Sequence, residues 1–178
     1  MVSLPIIKLP GMVSIVKQGH LHLLCGKMAS GKSTHASRLV TKEAALVLSE
    51  DELLAKLYPG EVVDVATYVE RSGRLKSALR LHIVELLRQN AVVVLDFPSN
   101  TRDQRSWLLS VANEAGVEHT LHYLECSDQL CIARLNARRS TKPERRNTDT
   151  LEMFDAITRF FEPPASDENL SITVHRQS

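Results

Sequence analysis

From His20 onward, short blocks of consecutive aliphatic residues alternate with longer stretches in which apolar side chains recur at helical spacing. The blocks His20–Cys25, Leu46–Ser49, Ala91–Asp96, Thr120–Cys126 and Ser171–Val174 predict five strands. Between them, Lys32–Glu43, Asp51–Leu57, Asp64–Gln89, Thr101–Ala115, Asp128–Arg139 and Thr150–Phe161 predict helices. Start and stop signals agree: Asp128 and Asp149 or Thr150 are suited to N-caps, and Gly116 closes a helix. Strands that read as continuous apolar runs belong to a parallel sheet covered on both faces. The pattern therefore predicts an α/β fold, a three-layer α/β/α sandwich around a five-stranded, mainly parallel sheet.

The first nineteen residues break the alternation. There Lys8-Leu9-Pro10-Gly11-Met12 predicts a turn between two short edge strands. The 178 residues match one domain, 1–178. The longest apolar runs, Ala44–Leu48 and Ala91–Leu95, are five residues each, and a membrane helix needs about 20. Pro5, Lys8 and Pro10 interrupt any signal-peptide core. Three cysteines without a C-x-x-C pair support neither a disulfide framework nor a cysteine zinc site, and a reducing cytoplasm is the expected setting. His119 and His122 lie three apart on a strand and point to opposite faces, so structural or surface roles are expected for the seven histidines.

The segment with the most chemical content is Gly26-Lys27-Met28-Ala29-Ser30-Gly31-Lys32-Ser33, which satisfies G-x-x-x-x-G-K-[ST] at every fixed position. The glycines allow successive N–H groups to point at phosphate oxygens. Lys32 supplies a cation for the β- and γ-phosphates, Ser33 a Mg2+ ligand, and Thr34 a hydroxyl for the α-phosphate. An apolar strand leads in and a helix-prone stretch leads out, which is the context the motif needs. ATP and Mg2+ are the expected cofactors.

Three weaker signals narrow the reaction. Asp96 ends a buried strand where such proteins hold Mg2+, and Phe97 follows it where dedicated ATPase machines carry Glu. Asp51 follows the second strand beside the phosphate loop. It is placed to accept a proton from an acceptor hydroxyl, or merely to cap the helix beginning at Glu52. From Arg134 to Arg146, six basic residues face only Glu144, giving that span +5 and the remaining chain −4 within a net +1. Ser140-Thr141-Lys142-Pro143 breaks the helix at the charge peak, which predicts a basic lid over about 138–147. A solvated basic face and RNA binding are the other readings of this run.

Together these features resemble the P-loop kinases of the nucleoside-monophosphate-kinase type. More narrowly they resemble the AAA_33-like kinases, relatives of zeta toxin, chloramphenicol phosphotransferase and polynucleotide kinase. The resemblance implies ATP and Mg2+ at Gly26–Thr34 and a base or substrate ligand at Asp51. It also implies arginines (Arg134, Arg138 and Arg139) closing over the phosphates or the adenine. The run Leu95-Asp96-Phe97-Pro98-Ser99-Asn100-Thr101-Arg102 is similar to the Asp-Gly-Phe-Pro-Arg run of adenylate kinases, with the Gly missing and the Arg displaced. Arg102 and Arg105 stand as candidate acceptor or phosphate contacts, and His175 with Arg176 falls near the base by position.

The expected function is an ATP- and Mg2+-dependent kinase acting on a hydroxyl-bearing small molecule or nucleoside-like acceptor. Lys32, Asp51, Arg134 and Arg138 form its catalytic set, and Ser33 with Asp96 its metal ligands. Tyr68 and Arg71, on the first turns of the long helix, face the acceptor, with Arg74, Lys56, Tyr58 and Glu61 as further candidates. Two rival expectations are a nucleic-acid 5′-hydroxyl kinase, which the shortage of aromatics disfavours, and an ATP-binding regulatory module with negligible turnover.

Overall fold

The computed structural model describes residues 18–141 and 149–177. The expected edge strands of 1–19 fall almost wholly outside these residues, as does most of the lid, including Lys142, Arg145 and Arg146.

In chain order the elements are β1 (His20–Cys25), α1 (Lys32–Glu43), β2 (Leu46–Ser49), α2 (Glu50–Leu57), α3 (Val65–Arg88) and β3 (Val92–Asp96). There follow α4 (Arg102–Ala115), β4 (Glu118–Glu125), α5 (Asp128–Thr141), α6 (Leu151–Thr158), a 3-10 turn (Ser166–Glu168) and β5 (Ile172–Arg176). The strands lie in the order β2-β3-β1-β4-β5, and every pairing is parallel. The chain therefore winds outward in both directions from β1. The carboxyl ends of β1 and β3, neighbours in the sheet, open onto the crevice where such sheets bind ligands.

Alternate residues of the strands are packed by different helices. Leu21, Leu23 and Cys25 of β1, with Val93 and Leu95 of β3, pack under Ile83, Val84 and Leu87 of α3 and Leu108, Val111 and Ala112 of α4. Leu24, Val92 and Val94 meet Ala36 and Leu39 of α1 on the opposite face. Each buried Leu, Ile or Val among them contributes about 1.5–3 kcal/mol, so the two faces fix β1 and β3 firmly. The edge strands are less covered: Leu46 and Val47 of β2 and Val174 of β5 are exposed.

Local chemistry sets the helix starts. Asp64 and Thr67 form a reciprocal capping box on α3, and Thr101 with Gln104 forms another on α4. Ser49, not Asp51, caps α2, which begins at Glu50 rather than after Asp51. The cap reading of Asp51 is thereby overturned, because its predecessor by two residues already accepts from the Glu52 amide.

Two further expectations are corrected here. Arg105 contacts no acceptor site: it is 0 % exposed, and its guanidinium donates to both Glu168 carboxylate oxygens at 2.6 and 2.8 Å. It also donates to the Ser99 and Glu162 carbonyls, so it clamps the segment before β5 onto the end of β3. Arg102 lies on the exposed first turn of α4 and makes a bidentate pair with Asp167. Both arginines serve the chain's own carboxylates.

Glu168 is 7 % exposed, and removing Arg105 strands that carboxylate. Arg105→Met is expected to lower unfolding free energy by about 3 kcal/mol in a denaturant titration, whereas Arg102→Ala moves the midpoint little. The hydrogen bond from Arg105 holds the Glu168 carboxyl below its ordinary value. Its contribution is therefore complete above pH 4.5 and is lost as pH falls through the lowered value. The wild-type and Arg105→Met stabilities should converge there in acid titrations.

Candidate nucleotide site

The turn after β1 is built so that its backbone can wrap around an anion. Gly26 has φ 151°, and a Cβ there would sit 2.5 Å from Ser30 Oγ and 2.8 Å from the Leu124 carbonyl. Gly31, at φ 107°, is the N-cap of α1 and makes no side-chain cap. The first amides of α1 are thus left facing the loop, with the positive end of the helix behind them. A Cβ at Gly31 would meet nothing closer than 3.8 Å, so the backbone approaches an open space. Ala29 also takes a left-handed conformation, at φ 59°.

Lys32 folds back over this loop and donates to the carbonyls of Gly26 at 2.6 Å and Lys27 at 3.0 Å. Burial pushes its ammonium below the ordinary lysine value, and the negative charges of Asp96 and Asp51 oppose the shift. Ser33 Oγ donates to Asp96 Oδ2 at 3.3 Å. Burial raises the Asp96 carboxyl, Lys32 pulls it back down, and the Asp51 charge raises it further. Asp51 is exposed and lies two residues past Ser49, which pairs in register with Asp96. Lys32, Ser33, Asp96 and Asp51 are therefore brought to one edge of the sheet, as their spacing implied.

This arrangement suits a Mg2+-bound polyphosphate. The Ser33 hydroxyl and Asp96 carboxylate are hard oxygen donors side by side. Ser30 Oγ is buried with no hydrogen-bond partner among the described residues, an orphan that an incoming phosphate oxygen would satisfy.

Among the described arginines of α5, Arg134 contacts the loop directly. It reaches over from α5 to donate to the Ser30 carbonyl at 3.1 Å, and the same Nη1 lies 3.8 Å from the Cβ position of Gly31. Arg138, one turn later, is committed to a bidentate pair with Asp149 at 2.5 and 2.7 Å. Asp149 lies two residues before α6, so this pair links α5 to the start of α6. Arg138 therefore acts first as a strut between α5 and the start of α6. Met28 and Ala29 pack on Cys131, Leu135 and Phe154, which seats the phosphate loop on α5 and α6. Thr34 is exposed on the first turn of α1.

The AAA_33 family model, described as an AAA domain, matches residues 21–164, which span the phosphate loop, Asp51, Asp96, Arg134 and Arg138. The chain belongs to the AAA_33 family. A comparison with curated protein sequences finds no match. Among solved structures, the chain is similar to APE1195 (25% identity, TM-score 0.63, covering 89% of this chain and 86% of that one). It is also similar to the Mycobacterium tuberculosis APS kinase CysC in complex with AMPPNP and APS (20% identity, TM-score 0.59, 89% and 88% covered). A third similar structure is Chaetomium thermophilum Kti12 in complex with ADP-AlF3 (16% identity, TM-score 0.65, 88% of each chain covered). This AAA_33 chain thus has the P-loop kinase-like fold. No helix among its described residues is long and apolar enough to cross a membrane.

The segment from α2 to α3 of this AAA_33 chain holds a residue that the sequence pattern alone did not single out. Glu50, adjacent to Asp51, is 0 % exposed, accepts from the Tyr68 hydroxyl at 2.7 Å and has the Lys76 ammonium 3.6 Å away. Burial, reinforced by Glu50, pushes the Tyr68 phenol far above its ordinary value, so it remains a donor. Arg71 pairs with Glu61 at 3.0 Å and stacks 4.7 Å from the Tyr58 ring centroid. Tyr68 and Arg71 thus hold the segment between α2 and α3 through partners of their own. Nothing local in Ser49-Glu50-Asp51-Glu52 singles out Glu50: Asp51 and Glu52 are exposed on the same turn, and only α3, through Tyr68, takes Glu50 inside.

A desolvated lysine contributes little to stability and is needed only by an anion. Lys32→Met is expected to leave the melting temperature within a few degrees of wild type, or to raise it, while weakening ATP binding by at least about 100-fold. Calorimetry and equilibrium binding on the same preparations check both halves.

Proposed function

We propose that this protein is an ATP- and Mg2+-dependent phosphotransferase acting on a hydroxyl group of a small-molecule or nucleoside-like acceptor. One observation carries the reading: an exposed carboxylate, Asp51, stands at the same sheet edge as the Lys32 ammonium and the Ser33–Asp96 pair. Binding alone needs the loop and the metal ligands. A further solvent-facing base beside them suits a second substrate whose hydroxyl must lose a proton.

In this reading the amides of Ser30 to Ser33 and the Lys32 ammonium hold the β- and γ-phosphates, and Ser33 with Asp96 holds Mg2+. The metal, when bound, would neutralise charge on the phosphate oxygens. Asp51 accepts the acceptor's O–H proton as the acceptor oxygen bonds to the γ-phosphorus. The bond from that phosphorus to the β–γ bridging oxygen breaks, and ADP departs with the electron pair. Arg134, already braced on the loop, balances charge on the transferred group, and Arg138 holds the start of α6 against α5 through Asp149. The solved APS kinase with AMPPNP and APS, of the same fold, has both a nucleotide analogue and a second small molecule bound.

The direct test is transfer of label from γ-labelled ATP to a panel of hydroxyl compounds, with Asp51→Asn run beside wild type. Phosphorylated product from wild type and a loss of about 10²–10⁴ in the variant are expected. Tight ATP binding with no product from any acceptor would overturn the transferase reading in favour of a nucleotide-binding module. Undiminished transfer in Asp51→Asn would remove that residue from the base role.

A further inference from the structure

The face of the sheet that α1 covers changes character from one side to the other. Beneath Ala36 and Leu39 it is aliphatic, through Leu24, Val92 and Val94. Further along it is made of imidazoles: His20 and His22 of β1, His122 of β4 and His175 of β5, with His35 of α1 above them. The His35 ring lies 4.5 Å from that of His122 and 4.4 Å from that of His175, centroid to centroid. Aliphatic side chains fill such a face without any need for partners, so five histidines ask for another explanation.

Their hydrogen bonds run in one direction. His22 Nε2 donates to the Glu43 carboxylate at 3.1 Å, because a carboxylate can only accept. His22 Nδ1 must then accept, and it takes the proton of His122 Nε2 at 2.9 Å. That leaves His122 Nδ1 with a lone pair, which accepts from His175 Nε2 at 3.0 Å. His35 Nε2 faces this end of the chain, buried and with no hydrogen-bond partner among the described residues. One ring nitrogen each from His35, His122 and His175 falls within a mutual 4.8 Å.

We propose that His35, His122 and His175 form a binding site for a late first-row divalent cation, Zn2+ foremost. His35 Nε2, His122 Nδ1 and His175 Nε2 are its ligands. Three neutral imidazoles select Zn2+, Co2+, Ni2+ or Cu2+ over Mg2+ and Ca2+, which prefer oxygen, so the site does not compete with the Ser33–Asp96 pair for its metal. Burial holds His35 down to about 4 and His122 down to about 3, with the neighbouring imidazoles adding to both shifts, so the lone pairs are present at neutral pH. When the ion enters, His175 moves its proton from Nε2 to Nδ1, and its Nε2 lone pair joins the other two. The outer shell is already in place: His122 keeps its Nε2 proton on His22, and His22 keeps its own on Glu43, the carboxylate–histidine relay that orients metal-bound imidazoles. Water takes a fourth position. The ion would lock α1, which carries Lys32 and Ser33 on its first turn, to β4 and β5, independently of any phosphoryl transfer.

The test uses full-length protein carrying no histidine tag. Co2+ is titrated and followed by its visible ligand-field bands, and Zn2+ is then added to displace it, for wild type, His35→Gln, His175→Gln and Cys126→Ser. Circular dichroism and melting temperature confirm that each variant is folded before titration. One ion per chain in wild type and Cys126→Ser, with affinity at least about tenfold weaker in both histidine variants, is expected. X-ray absorption of the wild-type Zn2+ form reads the ligands without any substitution: a nitrogen shell at about 2.0 Å is expected. No one-to-one binding, retained affinity in both histidine variants, or a sulfur shell at about 2.3 Å would each overturn the site.

Discussion

The charges at this molecule's functional edge are arranged around one half-buried lysine ammonium. Lys32 is held over two loop carbonyls, and a half-buried cation of this kind is stabilised by negative charge nearby. The protein supplies it from two strands: Asp96 at the end of β3 and Asp51 just after β2. Because β2 pairs with β3 in register at Ser49 and Asp96, one hydrogen-bonded ladder fixes both carboxylates relative to the lysine. The aliphatic packing on either side of β1 and β3 keeps that ladder in place. Hydrophobic burial determines the positions, and the positions determine the electrostatics.

A polyphosphate relieves the same imbalance more completely than the carbonyls do. Those carbonyls offer Lys32 partial negative charge, and the Ser30 hydroxyl has no hydrogen-bond partner among the described residues. The loop is therefore held by contacts weaker than those a phosphate would make with it. Arg134 and the packing of Met28 and Ala29 on α5 and α6 keep it from relaxing elsewhere. The Arg138–Asp149 pair holds the start of α6 against α5.

Much of this was legible in the sequence, and the reason is locality. Strand, glycine-containing turn and helix follow one another without a gap from His20 to Glu43, so the phosphate loop could be read from adjacent residues. The other strands were found from apolar runs, and Asp96 from its place at the end of one. What escaped depended on partners far away in sequence. Arg105 follows the strand that carries Asp96 and invites a ligand role, yet its partner Glu168 is 63 residues on. Glu50 and Asp51 are indistinguishable until α3 arrives with Tyr68 to take one of them inside. The histidines looked unrelated because β1, α1, β4 and β5 are dispersed along the chain. Only the order β1-β4-β5 sets His22, His122 and His175 side by side.

The account stands on Lys32, Ser33 and Asp96 forming a seat for a nucleotide and Mg2+ together, since the ammonium answers the phosphates and the hydroxyl–carboxylate pair answers the metal. Isothermal titration of wild-type protein with ATP, with and without Mg2+, measures this linkage directly. The account predicts that Mg2+ tightens ATP binding by at least about tenfold, roughly 1.4 kcal/mol. Equal affinity in the two titrations, or no ATP binding at millimolar concentration, would contradict it.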